Sequence, residues 1–397
     1  MKFIKNFFER TEPLVQEGGK YHWLRSVHDG FFTFLYTPKT TSKSGTHIHD
    51  HIDLKRTMSI VVLALVPALL MGMYNTGYQH FKAIGELAST GFFEVFFFGL
   101  IKVLPIVIVS YVVGLGIEFV FAQFRGHEIQ EGFLVSGMLI PLVMPVETPL
   151  WMIAVATAFA VVFGKEVFGG TGMNIWNPAL VARAFLFFAY PAQMSGIKVW
   201  VALSNTDKVV DGFTGATPMA DLAAGNAGTY HVADAFFGLI PGSIGETSTL
   251  AILIGAVFLI ITGIGNWKIM VSTIAGGAVM GLILNAFAGS AGLSPEAATY
   301  FGIPFWHHLI LGGFMFGAIF MATDPVSAAQ TARGQWIYGF MIGIIAILIR
   351  VINPAYPEGM MLSILLMNTF APLIDHYVVR AHVKRRLKRA TVKGQTA

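Results

Sequence analysis

GFLVSGMLIPLVMPV, residues 132–146, has an echo 180 positions later in GGFMFGAIFMATDPV, residues 312–326. Gly132, Gly137, Pro145 and Val146 in the first stretch return as Gly312, Gly317, Pro325 and Val326 in the second. A second echo follows each copy in the same order, Asn177-Pro178-Ala179 and then Asn353-Pro354-Ala355. Two echoes in one order mark an internal duplication. Working outward, ten apolar runs approach the roughly 20 residues that a spanning helix needs. They lie near 57–77, 100–124, 132–146, 149–168 and 178–194, and near 246–264, 267–289, 306–323, 335–352 and 359–379. Five runs fall in each copy, and an odd number requires the second copy to be inverted in the membrane. The fold expected is an all-α polytopic membrane protein of ten transmembrane helices in two inverted repeats of five. Pro141 and Pro145 cut the third run and Pro178 opens the fifth, so half-helices are expected there.

Composition agrees with a membrane location. Hydrophobic residues make up 55% of the chain and charged ones 12%, with a mean hydropathy of +0.66, which a soluble surface would not tolerate. There is no cysteine, so disulfides and thiolate ligation of metals or iron–sulfur clusters are excluded for this chain. Of the 26 Lys and Arg residues, 9 precede Thr57 and 7 follow Val379. This reads as two cytoplasmic tails rather than a nucleic-acid surface. With ten crossings, Arg125, Lys165, Lys268 and Arg333 fall on the tail side, and Lys82, Lys102, Lys198, Lys208 and Arg350 towards the other. The positive-inside rule therefore puts both termini in the cytoplasm and the loop 195–245 outside it. The expected organisation is a basic amino-terminal region (1–56), the first repeat (57–194), that outer loop (195–245), the second repeat (246–379) and a basic tail (380–397). MKFIKNFFER and YHWLRSVHDGFFTFLY mix apolar and basic residues at helical spacing, as helices lying on the lipid surface do. Nothing in the first 56 residues reads as a cleaved signal peptide. His47, His49, Asp50 and His51 are metal-donor types, but their spacing fits neither a helix face nor a known finger, and no metal is assigned.

Within the outer loop, DGFTGAT (211–217) is polar, broken by glycines and ends in the hydroxyl of Thr217. Elsewhere the informative residues are charges and amides inside apolar runs. Glu118, Asp324 and Asp375 are intramembrane acids, functional candidates by default, against the alternative of helix caps or ion-paired groups. For Glu118 the helical neighbours Gly114 and Ala122 cannot pair with it. Phe316, Phe320 and Asp324 are spaced by four and form one ladder, either an apolar constriction beside a cation site or ordinary core aromatics. GGTGMNIWNPA, from Gly169, reads as a re-entrant loop in which Asn177 caps a helix opened by Pro178. Asn174 and Asn177 there offer amides to a ligand. Gly114 and Gly116 leave part of one helix without side chains, either as a groove for a flat headgroup or as a surface for close helix packing.

Several long strings carry a resemblance that covers nearly the whole chain: IDLKRTMSIVVLALVPALLMGMYNTG, GKEVFGGTGMNIWNPALVARAFLFFAYPAQMSG, PGSIGETSTLAI, LGGFMFGAIFMATDPVSA and RVINPAYPEGMMLSILLMNTFAPLIDH. They resemble the membrane-protein family that includes the B subunit of the bacterial sodium-pumping NADH:quinone oxidoreductases and the D subunit of Rnf ferredoxin:NAD complexes. The long basic amino-terminal region and IDLKR are closer to the former. The resemblance implies a urea-transporter-like fold in the bacterial inner membrane. It also implies a redox complex with five other subunits that passes electrons to ubiquinone while moving Na+ outward. DGFTGAT is similar to the family motif Asp-x-x-Ser/Thr-Gly-Ala-Ser/Thr at Asp211, Thr214, Gly215, Ala216 and Thr217. A flavin transferase would then attach FMN covalently to Thr217 through a phosphoester. A non-covalent riboflavin and a quinone site are implied as well. For these the residues themselves offer Asn174 and Asn177 as flavin contacts and the Gly114 and Gly116 groove for the quinone, and Glu118, Asp324 and Asp375 with the Phe316 and Phe320 ladder offer a sodium path. The rival reading from the residues alone is a channel or secondary transporter for a small polar solute.

Overall fold

A computed structural model describes residues 2–16, 19–36, 44–46, 54–126, 132–195, 199–204, 209–210, 213, 215–226, 230–289, 295–353 and 359–395. Among these residues the chain is helical, with no strand. The helices used below are α1 (Lys2–Val15), α2 (Arg25–Leu35), α3 (Leu54–Ala83), α4 (Phe92–Arg125), α5 (Phe133–Leu142), α6 (Leu150–Gly164) and α7 (Pro178–Ala189). There follow α8 (Pro218–Ala223), α9 (Thr249–Ile261), α10 (Trp267–Phe287), α11 (Pro295–Gly302), α12 (Phe314–Phe316, continued by a π-helical turn Gly317–Met321), α13 (Ala332–Ile352) and α14 (Gly359–Gln395). Among the described residues six helices are long and apolar enough to cross a membrane: α3, α4, α6 with the turn that follows it, α10, α13 and α14. The remaining four apolar runs give the shorter α5, α7, α9 and α12.

The short elements follow from local chemistry. Pro141 and Pro145 stop α5, because proline cannot continue the backbone ladder. Asn177 accepts from Ala179 N–H at 2.9 Å with Pro178 at the first helical position, the cap expected from the sequence. The eighth run, 306–323, is not the continuous helix expected. It breaks at Gly312, whose φ of +65° suits glycine, and then winds as a π turn in which Ala322 N–H donates to Gly317 O at 2.8 Å. The basic tail also differs from a separate segment. α14 runs without interruption to Gln395, since after Pro372 the chain has no proline, and Arg, Lys, Leu and Ala favour helix.

The two halves use the same neighbours. α4 packs on α6 and α6 on α7, while in the second half α10 packs on α13 and α13 on α14. Across the halves α3 packs on α9, and α7 meets α14. Glycines allow the backbones to touch: a Cβ on Gly99 would overlap Met73 O, and one on Gly343 would overlap Thr273 O. The amino-terminal α1 and α2 pack on each other, and α2 rests on the end of α4 through Ser26 Oγ, which donates to Gln123 Oε1 at 3.0 Å, and through stacked Phe31 and Phe119.

Candidate functional site

Among the described residues, two largely apolar cavities with a few polar groups in their walls lie where the halves meet. The first, of 190 Å³, opens beside the start of α3 at Thr57 and Met58. Its wall combines Gly132 and Ser136 at the start of α5, Lys165, Asn174 and Asn177 of the segment between α6 and α7, and Phe320, Asp324 and Pro325 from the end of α12. The second, of 60 Å³, is lined by Thr217, Arg183, Trp200, Glu246, Gly312 and Gly313, and a 20 Å³ cavity that shares Arg183, Glu246 and Gly313 with it reaches Gly317, Arg350 and Met360. The start of the first echo, Gly132, thus meets the end of the second, Pro325-Val326, in one cavity. In the other, Gly312 and Gly313 from the start of the second echo lie beside Arg183, which donates to Val143 O near the end of the first.

The first cavity gathers four residues expected from sequence: Asn174, Asn177, Phe320 and Asp324. The Asn174 amide donates to Trp176 O at 3.0 Å and Asn177 Oδ1 is engaged by its cap, which leaves Asn174 Oδ1 and Asn177 Nδ2 to face a ligand. Asp324 accepts from Val326 N–H at 3.0 Å and Ser327 Oγ at 2.9 Å, so its carboxylate is fixed at the mouth of the turn after α12. Phe320 packs on fully buried Phe316 with ring centroids 5.1 Å apart, and closes the cavity on the side of α12. Phe316 itself lies behind that wall.

Glu118 has a partner that its own helix does not supply. Its carboxylate binds Lys165 Nζ, with both side chains buried, and the adjacent Glu166 takes Arg125 Nη1 at 3.1 Å on its carboxylate and Nη2 at 2.6 Å on its carbonyl. The absence of an ion partner inferred from Gly114 and Ala122 is therefore corrected: the partner comes from 47 residues away. Asp375 is not brought to either cavity. It accepts from Gln330 N–H at 2.7 Å, Thr331 N–H at 3.0 Å and the Thr331 hydroxyl, tying α14 to the start of α13. Gly114 is covered by Phe133, whose ring a Cβ there would overlap, while Gly116 has nothing within 4 Å. Close packing thus describes Gly114, and open surface describes Gly116 alone.

In the second cavity Thr217 is half-buried and caps α8, its Oγ1 accepting from Ala220 N–H at 3.2 Å. α8 is held from outside by Tyr300 of α11, whose hydroxyl donates to Met219 O at 2.7 Å; burial pushes that phenol up to about 12, so it stays protonated. Val210 N–H donates to Ala83 O at 3.0 Å, anchoring the loop before Thr217 to the far end of α3. α3 thus starts at the first cavity and ends at this loop, about 45 Å away at 1.5 Å per residue. Gly215 is buried and Ala216 half-buried, whereas Asp211 and Thr214 lie outside the described residues, as does the cluster His47, His49, Asp50 and His51. Among the described residues no group of three or more His, Cys, Asp or Glu side chains could hold a metal. Sequence reasoning missed Lys165, Arg183, Glu246 and Arg350 as site residues. Arg183 in LVARAFLFF and Arg350 in ILIRVI carried the same signal as the acids, a charge within an apolar run.

The sequence profile of the NQR2, RnfD, RnfE family matches residues 41–384. The chain belongs to that family. The B subunit of the Na(+)-translocating NADH-quinone reductase of Chromohalobacter salexigens is 46% identical, over 97% of this chain and 96% of its own. The proteins of the same name from Pseudoalteromonas atlantica and Pseudomonas aeruginosa are 44% and 45% identical, each over 97% of this chain and 99% of the relative. The cavities, the capped Asn177 and Thr217 all fall within the matched span.

Proposed function

We infer that this chain is the membrane subunit of a sodium-translocating NADH–quinone reductase, with FMN on Thr217 and a riboflavin in the first cavity. The observation that carries the reading is Thr217 in one cavity wall with Arg183. A phosphoester at that oxygen keeps one negative charge, and the buried guanidinium, which already holds Glu246 and Val143 O, is a forked donor suited to share a further hydrogen bond with it. Family membership and the near full-length identity to the B subunits of such reductases support the same conclusion. In the first cavity, Asn174 and Asn177 present one acceptor and one donor to a neutral flavin ring, and Phe320 offers an apolar face. A flavin, when bound, supplies reversible one- and two-electron transfer. The protein's part is to orient it, exclude water and hold charge nearby.

The reversed meeting of the two echoes, start to end in each cavity, supports inverted repeats of five helices with a urea-transporter-like architecture. In this reading one cavity opens towards each side of the inner membrane, the first on the side of the basic tails and Thr217 towards the periplasm, as the positive-inside rule favours. Sodium, a hard cation, would be taken up by carboxylates at the tail side, where Asp324 and Glu118 lie in or behind the first cavity. Five further subunits, ubiquinone and a flavin transferase complete the system.

A passive channel or transporter also suits two cavities at the junction of the halves, and one experiment divides the readings. The purified chain on a denaturing gel under ultraviolet light should give a fluorescent band that Thr217→Ala abolishes. A dark wild-type band would leave the transporter reading.

A further inference from the structure

We propose that Lys165 is an exchangeable internal cation. In this role its ammonium occupies Glu118 in the resting protein, and sodium reaches that carboxylate only when the ammonium swings out towards Asp324. The proposal rests on the sodium-pump reading above and adds to it the group that sodium must displace.

The geometry has three parts. Glu118 and Lys165 pair with side chains 3% and 4% exposed, so neither charge has bulk water to turn to. Lys165 lines the first cavity together with Asp324, whereas Glu118 does not, so a cation in that cavity meets the lysine before the acid behind it. The backbone of Lys165 is pinned, its carbonyl accepting from Phe168 N–H at 3.2 Å and Gly170 N–H at 3.1 Å, so the side chain turns on a fixed pivot.

Charge balance at Glu118 then permits sodium only by exchange. Glu118 and Glu166 face Lys165 and Arg125, two acids against two bases, and a sodium ion added to that set would leave one positive charge uncompensated in an apolar layer. Moving the ammonium to a second carboxylate removes the excess, and Asp324 is the acid that shares its cavity. The neighbouring pair is built differently. Arg125 grips both the carboxylate and the carbonyl of Glu166 through two nitrogens, a forked hold that resists exchange. Lysine, a compact charge on a flexible stem, makes a single contact and can leave it.

The test measures quinone reduction by the assembled complex against sodium chloride, with choline chloride holding ionic strength constant. Lys165→Arg replaces a displaceable ammonium by a fork that binds Glu118 more tightly, so half-saturation should need roughly tenfold more sodium. Lys165→Gln removes the competitor, so half-saturation should fall by about the same factor, while turnover at saturating sodium drops because the ion is no longer expelled. These opposite shifts are the signature. A purely structural pair gives overlaid titrations, or both variants displaced the same way, and either result overturns the proposal. If Lys165→Gln does not assemble, the Lys165→Arg titration decides alone; failure of both assigns the pair to folding and also overturns it. A wild-type complex indifferent to sodium would sink the sodium reading itself, which separates that failure from sodium-dependent turnover with unshifted variants.

Discussion

Arg183 Nη1 lies 3.0 Å from Glu246 Oε2 in the wall of the cavity that Thr217 also lines. The pair joins α7 to the loop before α9, and so clamps the first half of the chain to the second beneath the proposed flavin loop. Removing one member of a buried pair strands the other charge, at a cost of about 3–5 kcal/mol. Arg183→Met or Glu246→Met alone should therefore lower the melting temperature of the detergent-solubilised complex sharply. The double variant, with two apolar side chains of similar length, should regain most of the loss. Additive losses in the double variant would show that the two residues act separately.

Thr217 has two tasks that substitutions can separate. Its hydroxyl caps α8, worth about 1 kcal/mol, and it is the proposed attachment point. Thr217→Ser keeps both and should stay fluorescent on a denaturing gel. Thr217→Asn keeps a capping oxygen but has no hydroxyl, so the helix should persist while the band goes dark. Fluorescence of wild-type intensity in Thr217→Asn would move the attachment elsewhere.

Asn177 allows a similar separation. Asn177→Asp retains the oxygen that accepts from Ala179 N–H and removes the amide donor that faces the cavity. Riboflavin released on denaturing the purified complex should fall several-fold, while covalent FMN and assembly are unchanged. Full riboflavin content in Asn177→Asp would reduce the residue to its cap.

The two glycines of α4 should behave differently. A Cβ at Gly114 meets the Phe133 ring, so Gly114→Val should disrupt the seat of α5 and lower the yield of assembled complex. Gly116 faces open space, so Gly116→Val should assemble normally. If quinone docks along that surface, the apparent KM for quinone rises in Gly116→Val with NADH oxidation by the upstream subunits unchanged. An unchanged KM would remove Gly116 from the quinone site.

What the sequence revealed, and what it hid, divides by range. The ten apolar runs, the Asn177 cap and the proline-cut α5 depend on neighbours within a few residues, and each has its element in the structure. The break of the eighth run at Gly312 is hidden in the sequence, because glycines in an apolar stretch often stay helical, and only tertiary packing marks these two: a Cβ at Gly312 would meet Arg350 and one at Gly313 would overlap Glu246. The same limit hid the partner of Glu118. Its helical neighbours are in plain view in the sequence, but Lys165 arrives through tertiary packing that no local pattern encodes. In the sequence Asp324, Asn174 and Asn177 are separate signals, and only the packing of the two halves places them around one cavity.

The three acids named from sequence can now be ranked by position. Asp324 lines the first cavity, Glu118 lies behind Lys165 in its wall, and Asp375 is spent on the backbone at the start of α13. Asp324→Asn keeps an oxygen at Oδ1 for Val326 N–H and puts an amide donor where Oδ2 accepted from Ser327 Oγ, so the hydroxyl can turn to accept instead; the charge is removed and the turn should survive. The sodium concentration for half-maximal quinone reduction should rise roughly tenfold, equivalent to about 1.4 kcal/mol, since one carboxylate in a partly hydrated site contributes modestly. Asp375→Asn should leave that titration in place. It should instead lower the melting temperature, because a charged acceptor of two backbone N–H groups is replaced by a weaker neutral one, at a cost of about 1–2 kcal/mol. A sodium titration shifted by Asp375→Asn and not by Asp324→Asn would reverse the assignment and move the ion path away from the first cavity, to the contact between α13 and α14.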